Sequence, residues 1–99
     1  MRAILIQPDT RSLDIVDIQG RDDIVRLVGY PTLESDAVGN AGDYLFFDEE
    51  CFLRGTGGRF QIDKLIPVSG VGMIVGLNGD TLRDATTDIE DLRRRIRYL

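Results

Sequence analysis

The sequence predicts a single α+β domain over residues 1–99, with a mostly antiparallel sheet of about five strands and two helices, the second of them C-terminal. Three observations support this prediction. A chain of 99 residues is the size of one ordinary domain. Its short apolar segments, rich in β-branched and aromatic residues and separated by turn residues, are typical of strands. Near the C-terminus the apolar residues instead recur at the helical period.

Two hairpins and one central strand make up the predicted sheet. Residues 2–7 and the imperfect alternation over 13–19 form the first hairpin. Residues 43–48 and 51–54 form the second, because both segments are aromatic and a short acidic connection joins them. The continuous apolar run 71–77 predicts a strand buried on both faces. Residues 31–42 have the composition of a loop.

The two predicted helices follow from caps and apolar spacing. The first begins near Asp22 and Asp23, whose charges favour a helix N-terminus, and it ends at Gly29. The second has Thr87 as N-cap and Glu90 three residues later, which is a capping box. We expect this helix to bury one apolar stripe and to keep its arginines in water. The stripe is Ile89, Leu92 and Ile96, and the arginines are Arg93, Arg94 and Arg97.

Charge is distributed unevenly along the chain. Residues 1–50 contain 4 arginines and 11 acids, and no lysine or arginine occurs between Leu27 and Leu53. With a net charge of −5, such a chain favours basic partners and repels nucleic acid. A surface that only aids solubility would have the same composition. The candidate contact residues are Glu34, Asp36, Asp48, Glu49 and Glu50.

The sequence contains few residues of the types that usually carry out catalysis. The chain has no histidine, and its one cysteine is Cys51. Histidine is the most frequent general base and transition-metal ligand, so neither ordinary catalysis nor a zinc or copper site is expected. Cys51 stands next to Phe52 and close to two glutamates, which predicts a buried thiol that is not a nucleophile. We therefore predict a protein that is not an enzyme, without catalytic residues, metal or cofactor.

A glycine-rich segment leaves a second interpretation open. Gly70, Gly72 and Gly76 are spaced one residue too widely for a dinucleotide fingerprint, and they favour bulges or close backbone packing. Alternatively, the backbone amides of residues 69–72 cradle a phosphate that an arginine also binds. In that case the protein is an oligomeric binder that sequesters a linear or cyclic nucleotide. Its ligand residues would be Ser69, Gly70, Gly72, Arg54 and Arg59.

Several segments together resemble a family of small phage, prophage and plasmid proteins of unknown function. They are the opening strand 2–8, the acidic strand 43–50 with Leu53-Arg54-Gly55, the run 67–76 and the terminal helix 88–99. The segment between Gly55 and Leu65 is shorter than that family's pattern. The resemblance implies a mobile genetic element as the source of the protein and transfers no catalytic residue.

These observations together predict how the protein works and where. It would bind a basic host protein or a nucleic-acid-binding complex in stoichiometric amounts, as a counter-defence or regulatory inhibitor. Mimicry of nucleic acid is one form that this inhibition could take, and direct binding of nucleic acid is not expected. The lone cysteine and the absence of a long apolar run predict a cytoplasmic protein without membrane association. The terminal Tyr98-Leu99 and the aromatic hairpin 44–53 predict a homodimer.

Overall fold

The computed structural model describes residues 1–55 and 57–99. Its elements confirm an α+β domain of mostly antiparallel strands with two helices, the second of them C-terminal. In chain order they are β1 (Arg2–Gln7), β2 (Ser12–Asp17), α1 (Arg21–Val28), β3 (Leu33–Val38), β4 (Asp43–Asp48), a 3₁₀ turn (Cys51–Leu53), β5 (Arg59–Ile62), β6 (Val68–Ser69), β7 (Gly72–Asn78), β8 (Thr81–Arg83), α2 (Ile89–Arg95) and β9 (Ile96–Tyr98).

The larger sheet has the strand order β2-β1-β7-β4-β3, with the short β8 also paired to β7. Every pairing in it is antiparallel. The apolar run predicted as a central strand is β7, which lies between β1 and β4 and buries Met73, Ile74 and Val75 completely. A strand covered on both faces needs such a continuous apolar sequence. Strands β2 and β3 form the two outer edges of this path.

Each face of the larger sheet is covered by a different layer. On one face, Ile24 and Val28 of α1 pack with Phe46 and Met73. On the other, the three-stranded sheet β6-β5-β9 and helix α2 contribute Phe60 and other residues to a second core with Leu45 and Ile74. The layers meet closely at Gly72, where an added Cβ would lie 2.6 Å from the Phe60 ring. Gly72 is therefore a packing requirement.

The elements with the strongest periodic signals agree with their predictions. The opening hairpin is the β1–β2 pair, and the first predicted helix is α1. Helix α2 and the residue after it bury Leu92 fully, Ile96 almost fully and Ile89 in part. Arg93 and Arg94 of the helix and Arg97 after it remain exposed to solvent, as predicted.

The prediction of the second hairpin is wrong about which segment pairs with residues 43–48. Strand β4 pairs with β3, which lies in the segment that was predicted to be a loop. The sequence Leu33–Val38 carries two acids and a serine because it is an edge strand with much of its surface in water, and this hides its strand character. Residues 51–53 form a 3₁₀ turn instead of a strand, with the Leu53 amide donating to the Glu50 carbonyl at 2.9 Å.

The C-terminal segment departs from its prediction at both ends. Asp88, not Thr87, is the N-cap of α2, and its carboxylate accepts from the Glu90 amide at 3.1 Å. Thr87 is unavailable because its amide and hydroxyl both donate to Asp43. The helix ends at Arg95, and the chain continues as β9, which pairs with β5. The predicted single sheet of about five strands is thus two sheets with nine strands in the described residues.

Candidate functional site

Strand β3 places two of the predicted acidic contact residues at the edge of the larger sheet. Glu34 lies opposite Phe47 of β4, and Asp36 lies opposite Leu45. Directly paired residues point to the same face of a sheet. Leu45 and Phe47 belong to the core shared with the smaller sheet. Both carboxylates are therefore on the same side of the molecule as the smaller sheet, at the margin of its core.

A groove of about 510 Å³ runs beside these residues. Three carboxylates line it, from Glu34, Asp36 and Glu49, and apolar side chains supply the rest of its lining. The apolar residues are Phe47, Cys51, Phe52, Ile66 and Pro67. We call this surface the acidic groove. It combines negative charge with apolar area, as protein-binding surfaces often do.

Two apolar side chains of the acidic groove are unusually exposed. Phe52 has 52% of its surface in water and Ile66 has 65%. The guanidinium of Arg59 stacks on the Phe52 ring at 5.2 Å from its centroid. This cation–π contact places a positive charge beside the acidic groove. Exposed aromatic and aliphatic residues that adjoin each other in a groove are candidates for burial by a partner.

In residues 1–55 and 57–99, none of the three groove carboxylates takes part in an ion pair. Glu34 accepts a 3.3 Å hydrogen bond from the backbone amide of Ser35. Within the described residues, the groove therefore contains three carboxylates that form no ion pair, with the Arg59 guanidinium nearby on the Phe52 ring.

Asp48 does not belong to this surface, which corrects its place among the predicted contact residues. Only 4% of its side chain is exposed. Its carboxylate accepts from Arg54 Nε at 2.9 Å, from the Glu50 amide at 3.1 Å and from the Thr32 hydroxyl. Burial tends to raise the pKa of Asp48, but the bonds from Arg54 and Thr32 outweigh it and hold the pKa below its ordinary value. Asp48 is a structural anion.

Glu50 is exposed but already has a cationic partner. Its carboxylate lies 3.3 Å from Arg54 Nη2. The same guanidinium stacks on Tyr30, with 4.2 Å from its central carbon to the ring centroid. Glu50 is thus part of an ion-pair cluster around Arg54 and is separate from the acidic groove.

A smaller cleft of about 250 Å³ brings together some residues of the nucleotide-binding alternative. Arg54, Ser69 and Gly70 line it, together with Asp48 and Tyr30. The other two predicted ligand residues lie elsewhere. Gly72 is buried under Phe60 in β7, and Arg59 stacks on Phe52 at the protein surface.

The chemistry of this cleft opposes phosphate binding. Arg54 is paired with both Asp48 and Glu50, so a phosphate would have to compete with two carboxylates for it. The Gly70 amide, which the alternative assigned to a phosphate cradle, donates to the Gly58 carbonyl at 3.1 Å. An anion-binding loop needs several amides that point at the ligand, and the Gly70 amide is not available for this role.

Cys51 is buried, with 4% of its surface exposed, as its apolar neighbour suggested. Within the described residues, no group of three or more acidic or cysteine side chains is arranged to hold a metal ion. None of the described helices has the length and apolar character that crossing a lipid bilayer requires.

The surfaces that suggested a homodimer are partly covered by the protein's own fold. Tyr98 lies in β9 and pairs with Phe60, and burial of its ring raises the pKa of its hydroxyl. Phe46 and Phe47 of the aromatic hairpin are buried in the two cores. Phe52 and Leu53 of that hairpin and the terminal Leu99 remain exposed. The homodimer stays a prediction, with a smaller surface to support it.

The sequence did not indicate the apolar half of the acidic groove. Ile66 and Phe52 lie in different connections, and neither connection shows a periodic pattern. The sequence offered one indication of this apolar surface. Two large apolar residues stand in segments bounded by turn residues, and one of them precedes Pro67. Such a signal is weak because isolated apolar residues at a surface are common.

No family model matches the chain, and the searches of curated proteins and of solved structures gave no match either. The similarity to small phage and plasmid proteins stays a prediction from the sequence.

Proposed function

We propose that this protein is a non-enzymatic binding protein whose acidic groove takes a basic segment of a partner protein. The observation that supports the proposal most directly is a groove in which three carboxylates, without ion pairs in the described part of the chain, adjoin the exposed Phe52 and Ile66. The negative charges attract and orient a basic segment, while the apolar side chains supply area that can be buried.

The form of the partner follows from the groove. Lysine or arginine side chains would meet Glu34, Asp36 and Glu49, and the aliphatic stems of these side chains would cover Phe52 and Ile66. A segment of this kind occurs in nucleic-acid-binding proteins, whose basic surfaces contact phosphates. Occupying such a surface would inhibit a host complex. The mobile-element source and the bacterial cytoplasm are parts of this proposal that rest on the sequence alone.

Charge reversal tests the proposal. The probe is an extended peptide of about eight residues that alternates lysine with valine, and fluorescence anisotropy measures its dissociation constant. Glu34→Lys combined with Asp36→Lys should weaken binding about tenfold or more, since two attractions become repulsions. Binding by the unchanged protein should also weaken as salt rises, because exposed charges are screened.

The matched control is Asp14→Lys combined with Asp80→Lys. Both of these acids are exposed, and neither lines the acidic groove. This variant has the same net charge as the groove variant, so it separates a local effect from general attraction to a protein of net charge −5. Equal weakening by the two variants, or affinity that does not change with salt, would contradict the proposal.

A further inference from the structure

Strand β3 has an outer edge whose backbone orientation can be derived. The Glu49 amide donates to the Thr32 carbonyl at 2.8 Å, next to the Leu33–Asp48 pair. In an antiparallel ladder, the residues that bond to the neighbouring strand alternate with residues that point away. Glu34 and Asp36 therefore bond to β4 through their backbones, while the backbone groups of Ser35 point outward.

The same alternation directs the backbone groups of Leu33 and Ala37 outward. The hydrogen bond from the Ser35 amide to the carboxylate of its neighbour Glu34, at 3.3 Å, agrees with this orientation. In the described part of the chain, β3 pairs with β4 alone. An edge of six residues with outward backbone donors and acceptors is a template for one more strand.

A second copy of β3 is a poor occupant for this edge. If two copies paired antiparallel about Ser35, Glu34 of each would lie opposite Asp36 of the other. Like charges in directly opposed positions destabilise a strand pair. Acidic residues on an edge strand are a common protection against self-association. The negative charge of β3 therefore disfavours pairing with a second copy of β3 and favours pairing with a basic strand.

We propose that the partner segment binds by adding a strand to the outer edge of β3. This inference rests on the proposed function and specifies its geometry. The backbone of the segment would pair with Leu33, Ser35 and Ala37. Every second side chain would lie on the same face as Glu34 and Asp36, and from there it would reach the acidic groove. Backbone pairing would supply affinity, and the alternating side chains would supply specificity for a basic sequence.

Methylation of the peptide's backbone nitrogens tests this geometry. Two versions of the lysine–valine peptide are compared, one methylated on the valine nitrogens and one on the lysine nitrogens. With lysines on the Glu34 face, the valine amides point to β3 in an antiparallel addition and the lysine amides point to it in a parallel one. One version should therefore bind about tenfold more weakly or worse, and the other should bind like the unmodified peptide.

A protein variant provides an independent readout. Ser35→Pro removes the outward amide without removing a bond to β4, and proline is tolerated at edge-strand positions of this kind. It should weaken binding of the unmodified peptide about tenfold. The matched control is Ile15→Pro in β2, at the opposite edge. Ile15 also points outward, because the Ile18 amide donates to the Met1 carbonyl at 2.9 Å. This variant should leave the affinity unchanged.

The outcomes separate the two proposals. If both methylated peptides bind normally, or both lose binding, strand addition is wrong. Normal binding to Ser35→Pro would also overturn it. The groove as a site for basic segments would survive those results, provided that the charge-reversal variant still weakens binding. Failure of the unmodified peptide to bind at all would overturn the proposed function and the strand addition with it.

Discussion

Strands β3 and β4 are neighbours that both carry acidic residues, but they use these residues in opposite ways. The acids of β4 stand at its two ends, Asp43 and Asp48, and both are buried and bonded. The acids of β3 lie at the sheet edge, Glu34 exposed and Asp36 half-buried, and neither forms an ion pair in the described residues. A single acidic stretch of sequence thus contains structural anions and anions that are available to a partner.

Burial decides which role a carboxylate takes. A buried carboxylate must be satisfied by several donors or it destabilises the fold. Asp43 meets this condition with the backbone amides and hydroxyls of Thr86 and Thr87, and Arg83 Nη1 lies 3.5 Å from it. These contacts fasten the segment before α2 to the start of β4. An exposed carboxylate needs no such partners and remains free to bind another molecule.

The largest effect should come from removing the buried anion of β4. Asp43→Ala leaves the amides of Thr86 and Thr87 without their acceptor, and it removes the carboxylate that lies 3.5 Å from Arg83 Nη1. We expect a loss of about 3 kcal/mol in the free energy of unfolding, measured with urea. The exposed Asp80→Ala should change it by less than about 0.5 kcal/mol. A loss of similar size in both variants would show that burial does not separate the two roles.

How much the sequence could predict depends on the environment of each strand. Strand β7 was predictable because burial on both faces requires a continuous apolar run. Strand β3 was not, because an edge strand tolerates acids that resemble a loop in composition. The candidate site shows the same division. Glu34 and Asp36 could be named from charge alone, but the burial of Asp48 depends on Arg54, whose approach only the fold determines.

Acid should weaken the fold through the buried carboxylates. Burial raises the pKa of Asp43, but the hydrogen bonds from Thr87 and Thr86 prevail and place it below its ordinary value. Burial also raises the pKa of Asp48, but the hydrogen bonds from Arg54 and Thr32 outweigh it and lower that pKa. A lowered pKa in the folded state contributes stability above the unfolded pKa of about 3.9, and this stability is lost as the pH falls through the folded value.

We therefore expect the free energy of unfolding to fall as the pH drops below about 4. Urea titrations from neutral to acidic pH measure this decrease. The loss should be smaller than in Asp43→Ala, because a protonated carboxyl still fills its site and keeps an acceptor oxygen. Asp43→Asn cannot titrate, so its stability should vary less steeply with pH than that of the unchanged protein. An equally steep dependence in Asp43→Asn would assign the acid sensitivity to other groups.

The smallest effect on stability should come from the acids of β3. Glu34 and Asp36 have no ion pair to lose in the described residues, and their substitution leaves no buried donor unsatisfied. Glu34→Lys combined with Asp36→Lys should therefore change the free energy of unfolding by less than about 0.5 kcal/mol per site. The same variant should lose affinity for the lysine–valine peptide. A large loss of stability would instead make these two carboxylates part of the fold, and the contrast between β3 and β4 would disappear.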